Sequence, residues 1–245
     1  DAIHAFLLMK EAAEAGNTPA MNYLGEYFSF ATGTEEDMDK AIFWWEKAAE
    51  EEHKWALFWL GFTYSTGDGV EKDLDRAANY FERSHEAGNV QATYELGLAY
   101  YLGAGREEND ERAVELFKEA YDGGDIDATY RLAFCLYAGI GVSAEHERAV
   151  ELFKECCDEH PQAHFHLGEA ARAGLGRPKN LETAFDHYLK AAEDGVDIAK
   201  AAIGRAFFLG EGIAESDADA VKWLSLVADD EDLAKYYLGQ CYYDG

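Results

Sequence analysis

The apolar residues of this chain follow a helical spacing that recurs along its whole length. A leucine or isoleucine, which we number position 0, returns every 35 or 36 residues, and an alanine lies four residues before each one. Residues four apart share one side of an α-helix, so each pair predicts an amphipathic helix, called helix A. The recurring positions are Leu24, Leu60, Leu96, Leu132, Leu167, Ile203 and Leu238.

A second helix follows each helix A after a glycine-rich turn. Gly-x-Gly sequences such as Gly67/Gly69 permit positive φ and predict the end of helix A. Capping residues such as Asp37 and Asp73 predict the start of the second helix, helix B, although Glu145 replaces the usual type in one repeat. Helix B carries its own column of alanines: Ala5, Ala41, Ala77, Ala113, Ala149, Ala184 and Ala220.

One helical hairpin cannot bury both of its apolar stripes, so successive hairpins must stack. We therefore predict an all-α fold, a right-handed α-α superhelix (solenoid) of about six 35–36-residue helix-turn-helix repeats with an orphan helix at each end. The predicted single domain is 1–245, with orphan helices near 2–15 and 233–244 that suggest a piece of a longer protein. The predicted repeats lie near 19–53, 54–89, 90–125, 126–160, 161–196 and 197–232.

The repeat unit resembles the Sel-one-like repeat (SLR) family, a group of α-solenoids related to tetratricopeptide proteins. Two segments carry the resemblance, Ala41-Ile-Phe-Trp-Trp-Glu-Lys-Ala-Ala-Glu50 and Gly61-Phe-Thr-Tyr-Ser-Thr-Gly-Asp-Gly-Val70. Tetratricopeptide repeats have 34 residues and lack the Gly-x-Gly insertion. The resemblance implies a non-catalytic scaffold or adaptor that binds other proteins.

Charge narrows the class of partner. The chain has 21 Lys and Arg against 49 Asp and Glu, a formal net charge of -28. Such a surface repels nucleic acid and anionic membranes, and the sequence predicts no membrane insertion. The acidity either keeps a repeat array soluble or favours a basic partner.

The cysteines and histidines of residues 156–166 raise the question of a zinc site. Cys156 and Cys157 align with alanines of other repeats, so we interpret them as small core residues and predict no metal and no cofactor. In cysteine-rich secreted relatives of the family, the Cys157 column pairs with the next helix A alanine column, which holds Ala163 here. Free thiols favour a cytoplasmic location of the protein, and a location in the bacterial periplasm or outside the cell is left open.

The resemblance also implies where a partner binds. In tetratricopeptide-like geometry, helix A lines a concave groove, and positions -2, +2, +5 and +6 face it. Residues at -2 can also belong to the core. The predicted partner-binding residues are Phe62, Leu98, Tyr101, Phe134, Tyr137, Phe58, Tyr94 and Tyr130 in an aromatic centre, and Glu169, Arg172 and Arg205 towards one end.

Three functions fit these observations. The first is a protein-protein interaction scaffold that takes a peptide or helix in the aromatic groove. The second is a carbohydrate-binding or cell-envelope-associated repeat protein, because aromatic rings also stack on sugars. The third is a structural segment whose groove is filled by further repeats. No Ser/His/Asp grouping or phosphate-binding loop is evident, so the sequence predicts that the protein is not an enzyme.

The cysteine interpretation predicts that four thiols react with a thiol reagent in denaturant without reductant. Each cysteine then titrates as an independent thiol, because none is held by a partner sulfur. A count of two or none would reveal a disulfide and contradict the column alignment.

Overall fold

The computed structural model describes residues 2–229 and 231–244, and every regular element in those ranges is an α-helix. This confirms the predicted all-α repeat fold. The helices are α1 (Ala2–Glu14), α2 (Thr18–Ser29), α3 (Met38–Ala49), α4 (Lys54–Thr66), α5 (Leu74–Glu86), α6 (Val90–Leu102), α7 (Asp110–Asp122), α8 (Ile126–Ala138), α9 (His146–Cys156), α10 (Pro161–Ala173), α11 (Leu181–Glu193), α12 (Asp197–Leu209), α13 (Asp217–Leu224) and α14 (Asp232–Asp244).

The helices alternate as the pattern predicts, with even-numbered elements as helix A and odd-numbered ones as helix B. Helix α1 is the orphan helix B, and α14 is the orphan helix A. The chain divides into two compact units, an N-terminal unit of residues 1–125 and a C-terminal unit of residues 126–245. A single domain over 1–245 stays a prediction.

The loop between helix A and helix B is closed by the same hydrogen bond in every repeat. The cap residue of helix B donates its backbone N–H to the carbonyl at position +4 of helix A, as in Asp73 to Tyr64 at 2.9 Å and Ser216 to Phe207 at 3.0 Å. The side chain of Asp73 in turn accepts from the N–H of Arg76. Glu145, the unusual cap, makes no side-chain capping bond.

Most helix A elements end at a glycine in the left-handed region, for example Gly67 at φ 83°. A left-handed residue turns the chain and lets its N–H bond to the last helical turn. In the first repeat Ala31 takes this conformation at φ 52°, at a cost of about 1 kcal/mol because of its Cβ. The loop geometry therefore holds even where glycine is missing.

Helix A and helix B approach closely at the glycine after position 0. A Cβ on Gly61 would lie 2.7 Å from the Phe81 ring, and one on Gly97 would lie 2.8 Å from the Phe117 ring. In the C-terminal unit, Tyr188 fills the same space against Gly168. In these three hairpins, the buried ring of helix B thus rests directly on the backbone of its helix A, and in the last hairpin Leu224 takes the place of the ring against Gly204.

The cysteines of the C-terminal unit lie in or near its core. Cys135, Cys156 and Cys241 are buried, Cys157 is half-buried, and all four carry thiols rather than disulfides. Burial raises the pKa of the Cys156 thiol to about 12. Cys156 is therefore a small hydrophobic core residue at neutral pH.

Across the described ranges, no cluster of three or more His, Cys, Asp or Glu side chains is arranged to hold a metal ion. Within those same ranges, none of the helices has the length and hydropathy needed to cross a bilayer.

The ring contact at Gly61 predicts a stability effect. Gly61→Ala should destabilise the N-terminal unit by about 1–3 kcal/mol, because the buried Phe81 ring must move to admit the methyl group. The matched control is Gly239→Ala in α14, where an added Cβ meets nothing within 4 Å and alanine favours the helix. Thermal unfolding followed by circular dichroism gives the melting temperatures of the two variants and of the unaltered protein. Equal melting temperatures for Gly61→Ala and the unaltered protein would contradict the close-contact interpretation.

Candidate functional site

In the N-terminal unit, the helix A surface of α2 and α4 carries a cluster of aromatic rings. Trp59 lies at its centre, with its ring centroid 5.4 Å from Phe30, 5.3 Å from Phe58 and 6.1 Å from Phe62. Beneath it, the buried Trp45 ring is stacked at 5.9 Å. We call these five residues the aromatic cluster.

A hydrogen-bond network fixes the central ring. Trp59 Nε1 donates to Glu26 Oε1 at 3.2 Å, and Asn22 Nδ2 donates to the same oxygen at 2.8 Å. Asn22 is buried and Glu26 is half-buried. The indole of Trp59 is thus held in place by this hydrogen bond and by stacking on Trp45.

Two rings of the cluster face solvent. Phe30 is 58% exposed and Phe62 is 42% exposed, whereas Phe58 is half-buried. Phe62 was predicted to face the groove, and the structure places it on the open side of the cluster. Phe58 lies at position -2, where a residue can face the groove or belong to the core. Its ring contacts Trp59 and Phe62, and its centroid lies 6.1 Å from that of the buried Phe81.

The predicted residues of α6 are less open than Phe62. The rings of Tyr94 and Tyr101 lie 5.9 Å and 6.2 Å from the buried Phe117, and both residues are half-buried. Leu98 is also half-buried and lines a small apolar cavity between α4, α5 and α6. These three residues border the N-terminal unit's helix A surface and are partly committed to packing.

In the C-terminal unit, the predicted residues surround a histidine. The ring of His166 lies 5.5 Å from Phe134, 5.9 Å from Tyr137 and 6.1 Å from Tyr130. Tyr130 Oη is 3.3 Å from His166 Nε2, and the buried Phe153 is stacked on the imidazole at 4.9 Å. Burial lowers the pKa of His166 to about 4, so the ring is neutral at pH 7.

The predicted charges at one end of the groove form an ion-pair network. Arg172 makes a two-pronged contact with Glu169, at 3.1 Å from Nε and 2.7 Å from Nη2. Tyr188 Oη donates to Glu169 Oε1 at 2.5 Å, and Arg205 Nη2 lies 3.2 Å from that oxygen. Arg205 Nε is 3.3 Å from Glu211 Oε2.

The column pattern predicts that these charged residues are exposed at one end of a groove, whereas the structure buries much of the network. Arg205 is only 8% exposed, because its guanidinium turns towards Glu169, Tyr188 and Glu211. Hydrogen bonds from Arg172 and Tyr188 and the charge of Arg205 outweigh burial and lower the pKa of Glu169 to about 2. Glu169 is ionised throughout the neutral range, and the network joins the helices α10, α11 and α12.

The sequence reasoning missed Trp59 and His166, which lie at position -1 of their repeats. That column reads Tyr23, Trp59, Glu95, Arg131, His166, Ala202 and Tyr237. The frequent aromatic rings in the -1 column are the sequence signal that could have identified Trp59 and His166 as site residues. In both units a -1 ring contacts a +2 residue of the preceding repeat, as Trp59 contacts Glu26 and His166 contacts Phe134.

His164 and His166 are two residues apart in α10 and contact different neighbours. His164 Nδ1 lies 3.1 Å from His187 Nδ1, whereas His166 faces Tyr130 and Phe153. Burial lowers the pKa of His187 to about 4. One neutral imidazole of this pair therefore donates to the other.

Comparison with family models identifies the repeat. The model described as Sel1 repeat matches residues 1–17, 18–53, 56–89, 90–125, 126–159, 161–196, 198–232 and 232–245. Comparison with curated protein sequences gives no match.

Solved structures of other repeat proteins share the fold. A protective antigen present in uropathogenic Escherichia coli strains, which displays an SLR fold, has a TM-score of 0.90 and 28% identity over 100% of this chain and 53% of that protein. This chain thus spans about half of that relative's length. A Sel1 repeat protein from Oxalobacter formigenes has a TM-score of 0.72 and 28% identity over 98% of this chain and 70% of that one.

The ion-pair network predicts an acid-dependent loss of stability. The folded pKa of Glu169 is about 2 against an ordinary 4.5, so its contribution is complete above pH 4.5 and is lost as the pH falls towards 2. The loss is on the order of 3 kcal/mol. Glu169→Gln should therefore be less stable than the unaltered protein at pH 7 and approach it near pH 2.

Denaturant unfolding of the two proteins across this pH range measures the difference. Glu193→Gln, which changes an exposed carboxylate on α11, is the matched control and should follow the unaltered protein. A stability gap for Glu169→Gln that stays constant from pH 7 to pH 2 would show that the carboxylate charge does not stabilise the network.

Proposed function

The chain belongs to the Sel1 repeat family, and we propose that it is a non-catalytic scaffold that binds a partner peptide or helix on its aromatic cluster. Proteins of this family are generally scaffolds for protein-protein interaction rather than catalysts. The observation that carries the proposal is the pair of open rings, Phe30 and Phe62, supported by a fixed Trp59.

The exposure of these rings has no explanation in the packing of the repeat itself. Aromatic side chains bury a large area, and leaving two of them open, each in contact with Trp59, forgoes that stabilisation. Adjacent exposed apolar groups on a folded protein are typical of interaction sites. Rings supported from below also lose little conformational entropy on binding, which favours their use as anchors.

Residues beyond the cluster extend the proposal. Leu98, Tyr94 and Tyr101 border the N-terminal unit's helix A surface and offer partly open apolar area. In the C-terminal unit, Tyr130, Phe134 and Tyr137 are half-buried around His166, and Arg172 and Glu169 are half-buried polar groups next along that helix A surface. We assign these residues a secondary part in partner binding, with Arg205 acting through Glu169.

A second candidate is a carbohydrate-binding or cell-envelope-associated protein. The relative from uropathogenic Escherichia coli strains is a protective antigen, which supports a cell-envelope association for this chain as the second candidate. The rings of Phe30 and Phe62 could also stack on sugars. Carbohydrate sites combine such rings with several convergent polar groups, and Glu26 here is already bonded to Trp59 and Asn22, which favours the protein ligand.

The aromatic cluster predicts a separation between stability and binding. Phe62→Ser should leave the melting temperature nearly unchanged, because the ring is on the open side of the cluster. Affinity for a partner captured from lysate should fall by about 2 kcal/mol or more, as at central aromatic anchors. Phe58→Ala should instead destabilise the fold by about 3 kcal/mol, because its ring packs on Phe81.

The matched control for Phe62→Ser is Phe43→Ser, which removes a comparably exposed ring from α3, a helix B element. Calorimetric titration of the captured partner into each folded variant gives the affinities. Loss of binding in Phe43→Ser and not in Phe62→Ser would move the site to helix B. Binding on a glycan array that Phe62→Ser abolishes, without any protein partner, would favour the carbohydrate function.

A further inference from the structure

We propose that the aromatic cluster binds a lysine side chain of the partner. The four-carbon stem of this lysine lies on the open rings of Phe30 and Phe62, and its ammonium group pairs with the carboxylate of Glu26. The inference rests on the proposed function, because it names the chemistry of the partner that the aromatic cluster recognises. The aromatic cluster itself does not depend on the inference, since open rings also bind partners that lack this lysine.

The carboxylate of Glu26 has one oxygen occupied and one oxygen free. Oε1 accepts from Trp59 Nε1 at 3.2 Å and from Asn22 Nδ2 at 2.8 Å, and these two bonds fill its lone-pair directions. Among the residues that the structure describes, none donates to Oε2 or forms an ion pair with Glu26. Glu26 is half-buried, and its Oε2 is open to solvent. The site thus presents one unpaired carboxylate oxygen to a ligand.

The helix A elements of the N-terminal unit supply no cation for that oxygen. Neither α2 nor α6 contains lysine or arginine, and α4 contains only Lys54, at its first position. Lys54 Nζ donates to the carbonyl of Gly88 at 3.3 Å, far from Phe62 along the helix. Both lysines of α3 form ion pairs with other acidic residues, at 2.6 Å and 3.3 Å. The positive charge that complements Glu26 is therefore left for a ligand to provide.

The open rings favour the same ligand. Phe30 lies one turn after Glu26, where its backbone N–H donates to the Glu26 carbonyl at 2.9 Å. Phe62 occupies the +2 column of the second repeat, as Glu26 does in the first. The two rings and the carboxylate all contact the indole of Trp59. A lysine stem packs on apolar surface while its charged end stays polar, and the face of an aromatic ring attracts the cation.

The single free oxygen selects lysine over arginine. Arginine pairs most strongly with a carboxylate when two N–H groups of its planar guanidinium reach both oxygens. Because Trp59 and Asn22 already fill Oε1 of Glu26, a guanidinium gains only the contact to Oε2 unless it displaces them. The lysine ammonium is a compact point charge, for which one oxygen suffices.

The test uses four fluorescein-labelled peptides of about 15 residues that form helices with leucines on one face. The peptides differ only at a central position, which holds lysine, arginine, norleucine or glutamate, and their other polar residues are glutamines. Fluorescence anisotropy at about 0.15 M salt, where long-range attraction to the acidic chain is screened, gives the dissociation constants. We expect the lysine peptide to bind about tenfold more tightly than the norleucine peptide and about threefold more tightly than the arginine peptide. The glutamate peptide should bind most weakly.

A change at Glu26 should remove the preference for lysine and keep apolar binding. Glu26→Gln retains an oxygen that accepts from Trp59 and Asn22, but it loses the charge and replaces the free oxygen by a donor. Affinity for the lysine peptide should fall about tenfold, to that of the norleucine peptide, whose own binding should not change. The matched control is Glu86→Gln, which removes an exposed carboxylate of α5 in the same unit and should leave all four affinities unchanged. Melting temperatures confirm that both variants are folded.

The outcomes separate this inference from the proposed function. Equal binding of the lysine and norleucine peptides by the unaltered protein overturns the lysine site without any variant, and so does absence of peptide binding. An arginine peptide that binds as tightly as the lysine peptide contradicts the single-oxygen geometry. An equal loss of preference in Glu26→Gln and Glu86→Gln shows general charge attraction and overturns the site as well.

The proposed function has its own readout in the captured partner. If Phe62→Ser weakens binding of that partner while the unaltered protein shows no preference for lysine, the aromatic cluster stands and the lysine site does not. If Phe62→Ser changes binding of neither the captured partner nor the lysine peptide, the aromatic cluster is not the binding surface and both proposals fail.

Discussion

The close contact between a buried helix B side chain and the residue after position 0 of helix A, usually a glycine, is the constraint on which the rest of the structure depends. Rings such as Phe81 and Phe117 come so close to the helix A backbone that no Cβ fits between them. This fixes the distance between the two helices of a hairpin, and the bond from the helix B cap to the +4 carbonyl fixes their ends. With both fixed, each hairpin presents the same set of columns to its neighbours.

The columns that these hairpin contacts do not use are the ones that vary in side chain from repeat to repeat. Positions -1, +2 and +5 carry tryptophan, phenylalanine, tyrosine, histidine, glutamate or arginine in different repeats, while the alanine and glycine columns hardly change. The aromatic cluster in the N-terminal unit and the ion-pair network in the C-terminal unit occupy related columns. The same backbone thus supports an open apolar surface in one unit and a closed polar network in the other.

The sequence predicted the fold class, the helix order and the turns, because period and capping are local properties of the chain. Partner contact by Phe62 stays a prediction, although its ring is exposed. It did not predict Trp59 or His166 as central rings, since a column shows where a Cα lies and not which neighbour its side chain reaches. Arg205 shows the same limit: its column suggested an exposed charge, but Glu169 and Glu211, from other helices or loops, draw the guanidinium inwards. Which neighbour a side chain contacts in another repeat depends on both residues of the pair, and a single column shows only one of them.

The cavity beside α5 is assembled entirely from residues between Ser65 and Ala104, a stretch little longer than one repeat. Unequal recombination between repeated coding segments duplicates or deletes stretches of about this length. A pocket so contained can be inherited, copied or lost as one piece, without rebuilding the neighbouring hairpins. Rearrangement of whole repeats can therefore add or remove such a cavity, in addition to the slower substitution of single residues.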